Sequence, residues 1–148
     1  MAKFKAEVPD QVIKDFERIY GNTDAIFGGM TRAGAEVVFD RVKSNVPAAF
    51  HGSNIMQTMR LSKIYKTPTD DGINTQVMFD GYFYTRPNKS GKVEKVAAPL
   101  VCNMFEYGSS KRRYPKTPFF RKSFNKAAIE KAMLEAQKKL SGGVLDDK

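Results

Sequence analysis

The chain carries one cysteine, Cys102, and one histidine, His51. A single cysteine excludes a disulfide within the chain and any multi-cysteine metal site, which fits a reducing compartment. A lone loop histidine needs a second group, placed by the fold, before it works as a base or a metal ligand. Long apolar runs are missing too. None approaches the ~20 residues that cross a bilayer, and Met1-Ala2-Lys3-Phe4-Lys5 leads into charged sequence with no secretory core. The expectation is a protein made in the cytosol with no membrane partner. Acid is scarce in the C-terminal quarter. Residues 111–148 hold 11 Lys/Arg against 4 Asp/Glu, and residues 1–110 hold 14 against 12, so the earlier part contributes +2 and the last quarter +7 of the net +9. Such a field attracts nucleic acid, acidic protein surfaces or anionic lipid without choosing among them.

Catalytic motifs are also lacking. Gly28-Gly29-Met30-Thr31-Arg32-Ala33-Gly34 is rich in glycine but has neither a Walker spacing nor the strand-then-G-x-G-x-x-G context of a nucleotide loop, and helix packing explains it better. Asp70-Asp71 precedes Gly72 and reads as a turn, without the further oxygen ligands a metal needs. Nothing around Cys102 matches a nucleophile setting, and buried packing is the simpler role. We expect no catalytic residues, no metal, no cofactor and no enzyme.

What is present is one domain over residues 1–148, with 41% hydrophobic residues to build a core and flexible tails expected at 1–8 and 141–148. Pro9 to Tyr20 reads as a short amphipathic helix whose Val12, Phe16, Ile19 and Tyr20 share a face, packed on the body. A longer helix from Thr23 or Asp24 to Asn45 keeps Phe27, Met30, Gly34, Val37, Val38 and Val42 in helical spacing until Pro47 ends it. Its glycines each lower helix propensity by ~1 kcal/mol relative to alanine, so a closely packed partner or a bend is expected. Ala48 to Ser62 has no clear period. Leu61–Lys66 and Ile73–Asp80 read as a hairpin around Asp70-Asp71-Gly72, Tyr82 to Tyr84 extends it, and Val93–Ala97 returns after a polar loop.

The most informative stretch begins at Ala98-Pro99. It reads as a short helix with Leu100, Met104 and Tyr107 on its packed face, closed by Gly108 in a left-handed conformation. A basic arm follows, Lys111, Arg112, Arg113, Tyr114 and Lys116, four cations with no acid. Thr117-Pro118 then reads as a cap and first turn of the last helix, running to Leu140 and burying Phe124, Ile129, Ala132, Met133, Ala136 and Leu140. Glu106 and Arg121 flank the arm, and a charge-assisted contact between them would close it.

Phe105-Glu106-Tyr107-Gly108, the loop, and Pro118-Phe119-Phe120-Arg121 before a Lys/Glu/Ala-rich helix resemble the tail-component family of tailed bacteriophages, the head-tail connector and tail-completion proteins of the virion neck. That family's usual wording is Glu-Phe-Gly-Thr, a variable loop and Pro-Phe-x-Arg-Pro; this chain has Tyr107, Ser109 and Lys122 where Phe, Thr and Pro are common, and lacks the family's Arg-Thr-Gly after Pro47. The resemblance implies a structural subunit that assembles into a homo-oligomeric ring, touches other neck and tail proteins, lets DNA pass, and resides in the host cytoplasm and then the virion. It makes Phe105, Glu106, Tyr107, Gly108, Pro118, Phe119, Phe120 and Arg121 candidate motif or subunit-interface residues, and Lys111 to Lys116 a candidate contact for DNA or a neighbour.

The expected fold is α+β: a small antiparallel sheet packed by two long helices, with a short N-terminal helix and a long basic loop. The alternative function is nonspecific nucleic-acid binding through the same basic segment, where cations and Tyr114 would neutralise phosphates without reading sequence.

Overall fold

Ile26, Ala35, Val38 and Val42 recur at helical spacing and form the buried stripe of the longest helix, α2 (Thr23–Asn45), on which the rest of the chain is assembled. A computed structural model describes residues 9–111 and 113–142, with helix α1 (Asp10–Gly21) before α2 and only Asn22 between them. Val46 and Pro47 stop α2, and two 3-10 turns, Ala48–Phe50 and Asn54–Thr58, carry the chain to the strands. β1 (Met59–Leu61) pairs antiparallel with β4 (Val77–Phe79), and β2 (Tyr65–Lys66) with β3 (Ile73–Asn74). Both ladders belong to the expected hairpin, but Ser62, Lys63 and Ile64 stand opposite only Thr75 and Gln76, a bulge that breaks it in two. Gly81, at φ +89°, turns the chain into β5 (Tyr82–Tyr84), which pairs with β6 (Lys95–Ala97). Helix α3 (Ala98–Tyr107) and helix α4 (Lys126–Ser141) complete the order. The fold is α+β, its antiparallel pairing divided among three two-stranded sheets.

α4 lies along α2, and the glycines of α2 mark where it comes close. A Cβ on Gly34 would stand 3.1 Å from Met133 Cγ and 3.2 Å from Ile129 Cγ2, and one on Gly29 only 2.1 Å from Leu140 Cδ1. The partner expected from the glycines is therefore α4. The core centre comes from the stretch without a period. Phe50, 2% exposed, meets Phe79, Phe105 and Phe119 edge-on at centroid distances of 6.0, 4.9 and 5.4 Å. Truncating it to alanine removes the hub of that cluster, a loss of about 3–5 kcal/mol.

Four expectations are corrected. α1 is not packed on the body: none of its residues is buried, and Phe16 and Tyr20 are 66% and 87% exposed. The buried face of α3 is Ala98, Cys102, Phe105 and Glu106, while Leu100 and Tyr107 point to solvent, because β4 and the 118–121 segment lie on the other side. The last helix starts at Lys126 and not at Pro118. Asn125 supplies the cap, its Oδ1 accepting from the Ala128 N–H at 2.9 Å, while Phe124 and Leu140 stay largely exposed. At the other end Ser141 is no tail: it is 3% exposed, and its carbonyl accepts 2.9 Å from Arg18 Nη2. Residues 1–8 and 143–148, expected as tails, lie outside the described residues.

Candidate functional site

Phe105, Glu106, Tyr107 and Gly108 close α3, and each does something different. The Phe105 ring enters the core while its carbonyl, near the helix end where no intrahelical donor is left, accepts the Thr117 N–H at 2.8 Å. Thr117 thus caps α3 and not, as expected, the last helix.

Glu106 turns its carboxylate, 5% exposed, onto the chain that returns to it. Its Oε2 accepts the N–H groups of Phe119 and Phe120, both at 2.9 Å, and its Oε1 accepts the Arg121 N–H at 3.1 Å and Arg121 Nε at 2.8 Å. Pro118 has no N–H, so the first three donors after it converge on one carboxylate at the start of the 3-10 turn Arg121–Ser123. Burial pushes the Glu106 pKa up. The Arg121 side chain and the N–H groups of Phe120, Phe119 and Arg121 outweigh that and hold the carboxyl below its usual value.

Tyr107 lies outside this clasp with the Arg121 guanidinium 5.0 Å from its ring centroid. Gly108 adopts φ +76°, ψ 176°, a positive-φ extended conformation rather than the left-handed closing one expected. A Cβ there would stand 3.1 Å from the Tyr114 carbonyl oxygen. Glycine is required by conformation and by space.

The basic arm is exposed, and it is closed at its base into a turn. Ser109 and Tyr114 exchange both backbone hydrogen bonds, at 3.2 and 2.9 Å, and Arg113 takes φ +49° to close the loop. Tyr114 packs edge-on against Phe105 with centroids 4.9 Å apart. That edge contact staples the turn to the core, while Tyr114 remains 37% exposed. Lys111, Arg113 and Lys116 are exposed; Arg112 lies outside the described residues.

The structure therefore brings Phe105, Glu106, Phe119, Phe120 and Arg121 together and divides their roles. Phe105, Glu106 and Phe119 are interior and cannot meet a neighbouring molecule, whereas Tyr107 and Arg121 can. Beside the clasp is a cavity of about 210 Å³, bounded by Val77, Pro99, Asn103 and Tyr107 among others. Cys102 is buried next to it, its thiol pushed up to about 12 mainly by burial. His51 is exposed on a loop. Among the described residues no three His, Cys, Asp or Glu side chains gather as a metal set, and no helix is long and apolar enough to cross a membrane.

Sequence reasoning missed Ser123. It is fully buried, donates to the Phe119 carbonyl at 2.8 Å, and accepts Asn45 Nδ2 at 3.1 Å on its hydroxyl and Arg41 Nε at 3.1 Å on its carbonyl. This ties the clasp to α2. Nothing in the local pattern marks that serine, since the two partners that tie it to α2, Arg41 and Asn45, are 82 and 78 positions away. No family description, curated protein or solved structure matches the chain.

Proposed function

We propose that this protein is a structural subunit of a phage neck, a tail-completion or head-tail joining protein that assembles with copies of itself into a ring and lets DNA pass. One observation carries the reading. The two short motifs that resemble the tail-component family, Phe105-Glu106-Tyr107-Gly108 and Pro118-Phe119-Phe120-Arg121, are ten residues apart in sequence but form one clasp through four hydrogen bonds to Glu106. They serve a common purpose, which is to hold a cationic turn at a fixed place on the surface. No reaction is assigned. Binding energy between subunits and to neighbouring virion proteins is the working quantity, and large apolar side chains left exposed, such as Phe16, Tyr20, Leu100 and Phe124, supply surface for it.

Electron microscopy of the purified protein under assembling conditions tests the reading: closed rings of uniform diameter with a central opening support it, and particles that never close contradict it. The second reading, a nonspecific nucleic-acid-binding protein, draws on the exposed Lys111, Arg113 and Lys116. It requires duplex affinity that falls steeply with salt, because phosphate neutralisation releases counterions.

A further inference from the structure

We propose that the outer face of the β5–β6 hairpin binds single-stranded nucleic acid, with Tyr82 and Tyr84 as the surfaces on which unpaired bases stack.

Strand alternation builds the platform. In an antiparallel pair packed on one side, the residues that face outward are ordinarily polar. β5 follows the rule inward, where Phe83 is buried in the core, and breaks it outward, where Tyr82 and Tyr84 are 64% and 57% exposed. Their attachment points lie about 6–7 Å apart along the strand, close to two stacking layers of ~3.4 Å, so a base fits against either ring or between them. Neither tyrosine has an aromatic partner among the described residues. In the basic turn, by contrast, the one ring is engaged with Phe105.

The neighbouring strand supplies charge at the same place. Lys95 stands directly opposite Tyr84 in the ladder, on the same face, and its Nζ is 5.0 Å from the centroid of the Tyr82 ring. An ammonium held over one face of a tyrosine leaves the other face for a base. From Asp80 to Ala97 the chain has four cations and two acids. Asp80 is bonded to Arg60 and Glu94 lies 3.5 Å from Lys92, so Arg86, Lys89 and Lys95, all exposed, have no acid partner among the described residues. Unpaired cations beside open rings complement a polyanion whose bases are free. A duplex offers the phosphates but hides the base faces, and a neutral sugar offers a face without the charge.

Alongside the rings is a cavity of about 480 Å³, bounded by both tyrosines and by Asn54, Gln57, Arg60 and Asp80. The Asn54 amide donates to the Tyr84 carbonyl at 3.0 Å and ties this margin to β5, while the Gln57 side chain is exposed. Amides and a guanidinium beside a stacking surface hydrogen-bond the edge of a splayed base. Because every base has a flat face, such a surface tolerates many sequences.

Fluorescence anisotropy with labelled oligo-dT of about 12 nucleotides, inside the range of roughly 4–16 that such sites occupy, tests this beside a duplex of equal length. Oligo-U in a parallel titration tells an RNA partner from a DNA one. Wild type is expected to bind the single strand more tightly than the duplex, Tyr82→Ala and Tyr84→Ala each to bind it roughly 5- to 100-fold more weakly, and Tyr82→Phe to bind as wild type does. Lys95→Gln keeps both rings and is expected to weaken binding and reduce its salt dependence. Both tyrosines are more than half exposed, and circular dichroism confirms that each variant is folded. Wild type that binds no single strand, a duplex bound as tightly as the single strand, or alanine variants that bind as wild type does each overturns the inference. So does a Tyr82→Ala chain that loses self-association instead, which would make the face a contact between copies. Particles that never close yet bind oligo-dT through the tyrosines keep the inference and contradict the proposed function; rings that bind no oligonucleotide do the reverse.

Discussion

The guanidinium of Arg121 is 2.8 Å from a Glu106 oxygen, yet the two residues do not share the contact equally, since the Glu106 side chain is 6% exposed and that of Arg121 53%. Three backbone N–H groups hold Glu106 whether or not Arg121 is present. Arg121 therefore contributes at the level of a half-exposed ion pair, about 0–1 kcal/mol, with a small addition from the Tyr107 ring. Removal of Glu106 leaves buried amides without an acceptor and costs about 3 kcal/mol or more. Urea unfolding of Glu106→Ala, Arg121→Ala and the double variant is expected to show this asymmetry with a coupling below ~1 kcal/mol. Equal single losses, or a coupling of several kcal/mol, would contradict the clasp as described.

The same carboxylate predicts an acid limb. Its folded pKa lies below the ordinary carboxylate value of 4.5, so the unfolded chain takes up a proton first. The clasp's contribution is complete above that ordinary value and is lost as pH falls through the lower folded value. Urea midpoints measured from pH 6 down to pH 3 are expected to fall more steeply in wild type than in Glu106→Gln, which cannot titrate. Parallel curves would show that Glu106 ionisation is not linked to folding.

Cys102 should be unreactive while the fold holds. It is buried, with a thiol pushed up to about 12, and at neutral pH offers almost no thiolate. A thiol reagent is expected to label it only after denaturant is added, with modification tracking unfolding. Rapid labelling of the native chain would place Cys102 at the surface.

Two glycines of α2 differ in what they tolerate. Replacement by alanine gains about 1 kcal/mol of helix propensity at either. At Gly29 the obstacle is the end of the Leu140 side chain, 47% exposed and free to turn away, whereas at Gly34 it is Met133 together with Ile129. Gly29→Ala is expected to raise the melting temperature by a few degrees and Gly34→Ala to leave it unchanged or lower it. The reverse order would contradict the helix pairing.

Alanine at Lys111, Arg113 and Lys116 together is expected to change stability by less than ~0.5 kcal/mol, since all three are solvent-facing, while weakening contact with any polyanion. Gly108→Ala, which alters the same turn through its backbone, is expected to cost about 1–3 kcal/mol. A thermal melt of both variants separates charge from conformation at this turn.

Much of this was legible in the sequence where the signal is local. Proline 47 and the valine spacing bounded α2 at the observed residues, the glycines announced a close partner, and the period of two located the hairpin. The Glu106–Arg121 contact followed from two charges flanking one loop. Errors fell where long-range contacts override local preference. Thr117-Pro118 has the chemistry of a helix start, but the Phe105 carbonyl claims Thr117, and Glu106 draws the next three amides away from a helix. Phe50 shows no period because a 3-10 turn, not a helix or strand, carries it into the core. The amphipathic pattern of α1 does mark a helix, but the apolar face it announces is not buried against the body.

The proposed ring-forming subunit and a free nucleic-acid binder differ in mass and in DNA affinity. One sample, measured for mass by light scattering and for duplex DNA affinity across a salt titration, distinguishes them. A ring-forming subunit is expected to give discrete oligomers whose DNA affinity is weak at physiological salt. A monomer that binds duplex tightly, with an affinity falling steeply as salt rises, would contradict it and move the function to the basic turn alone.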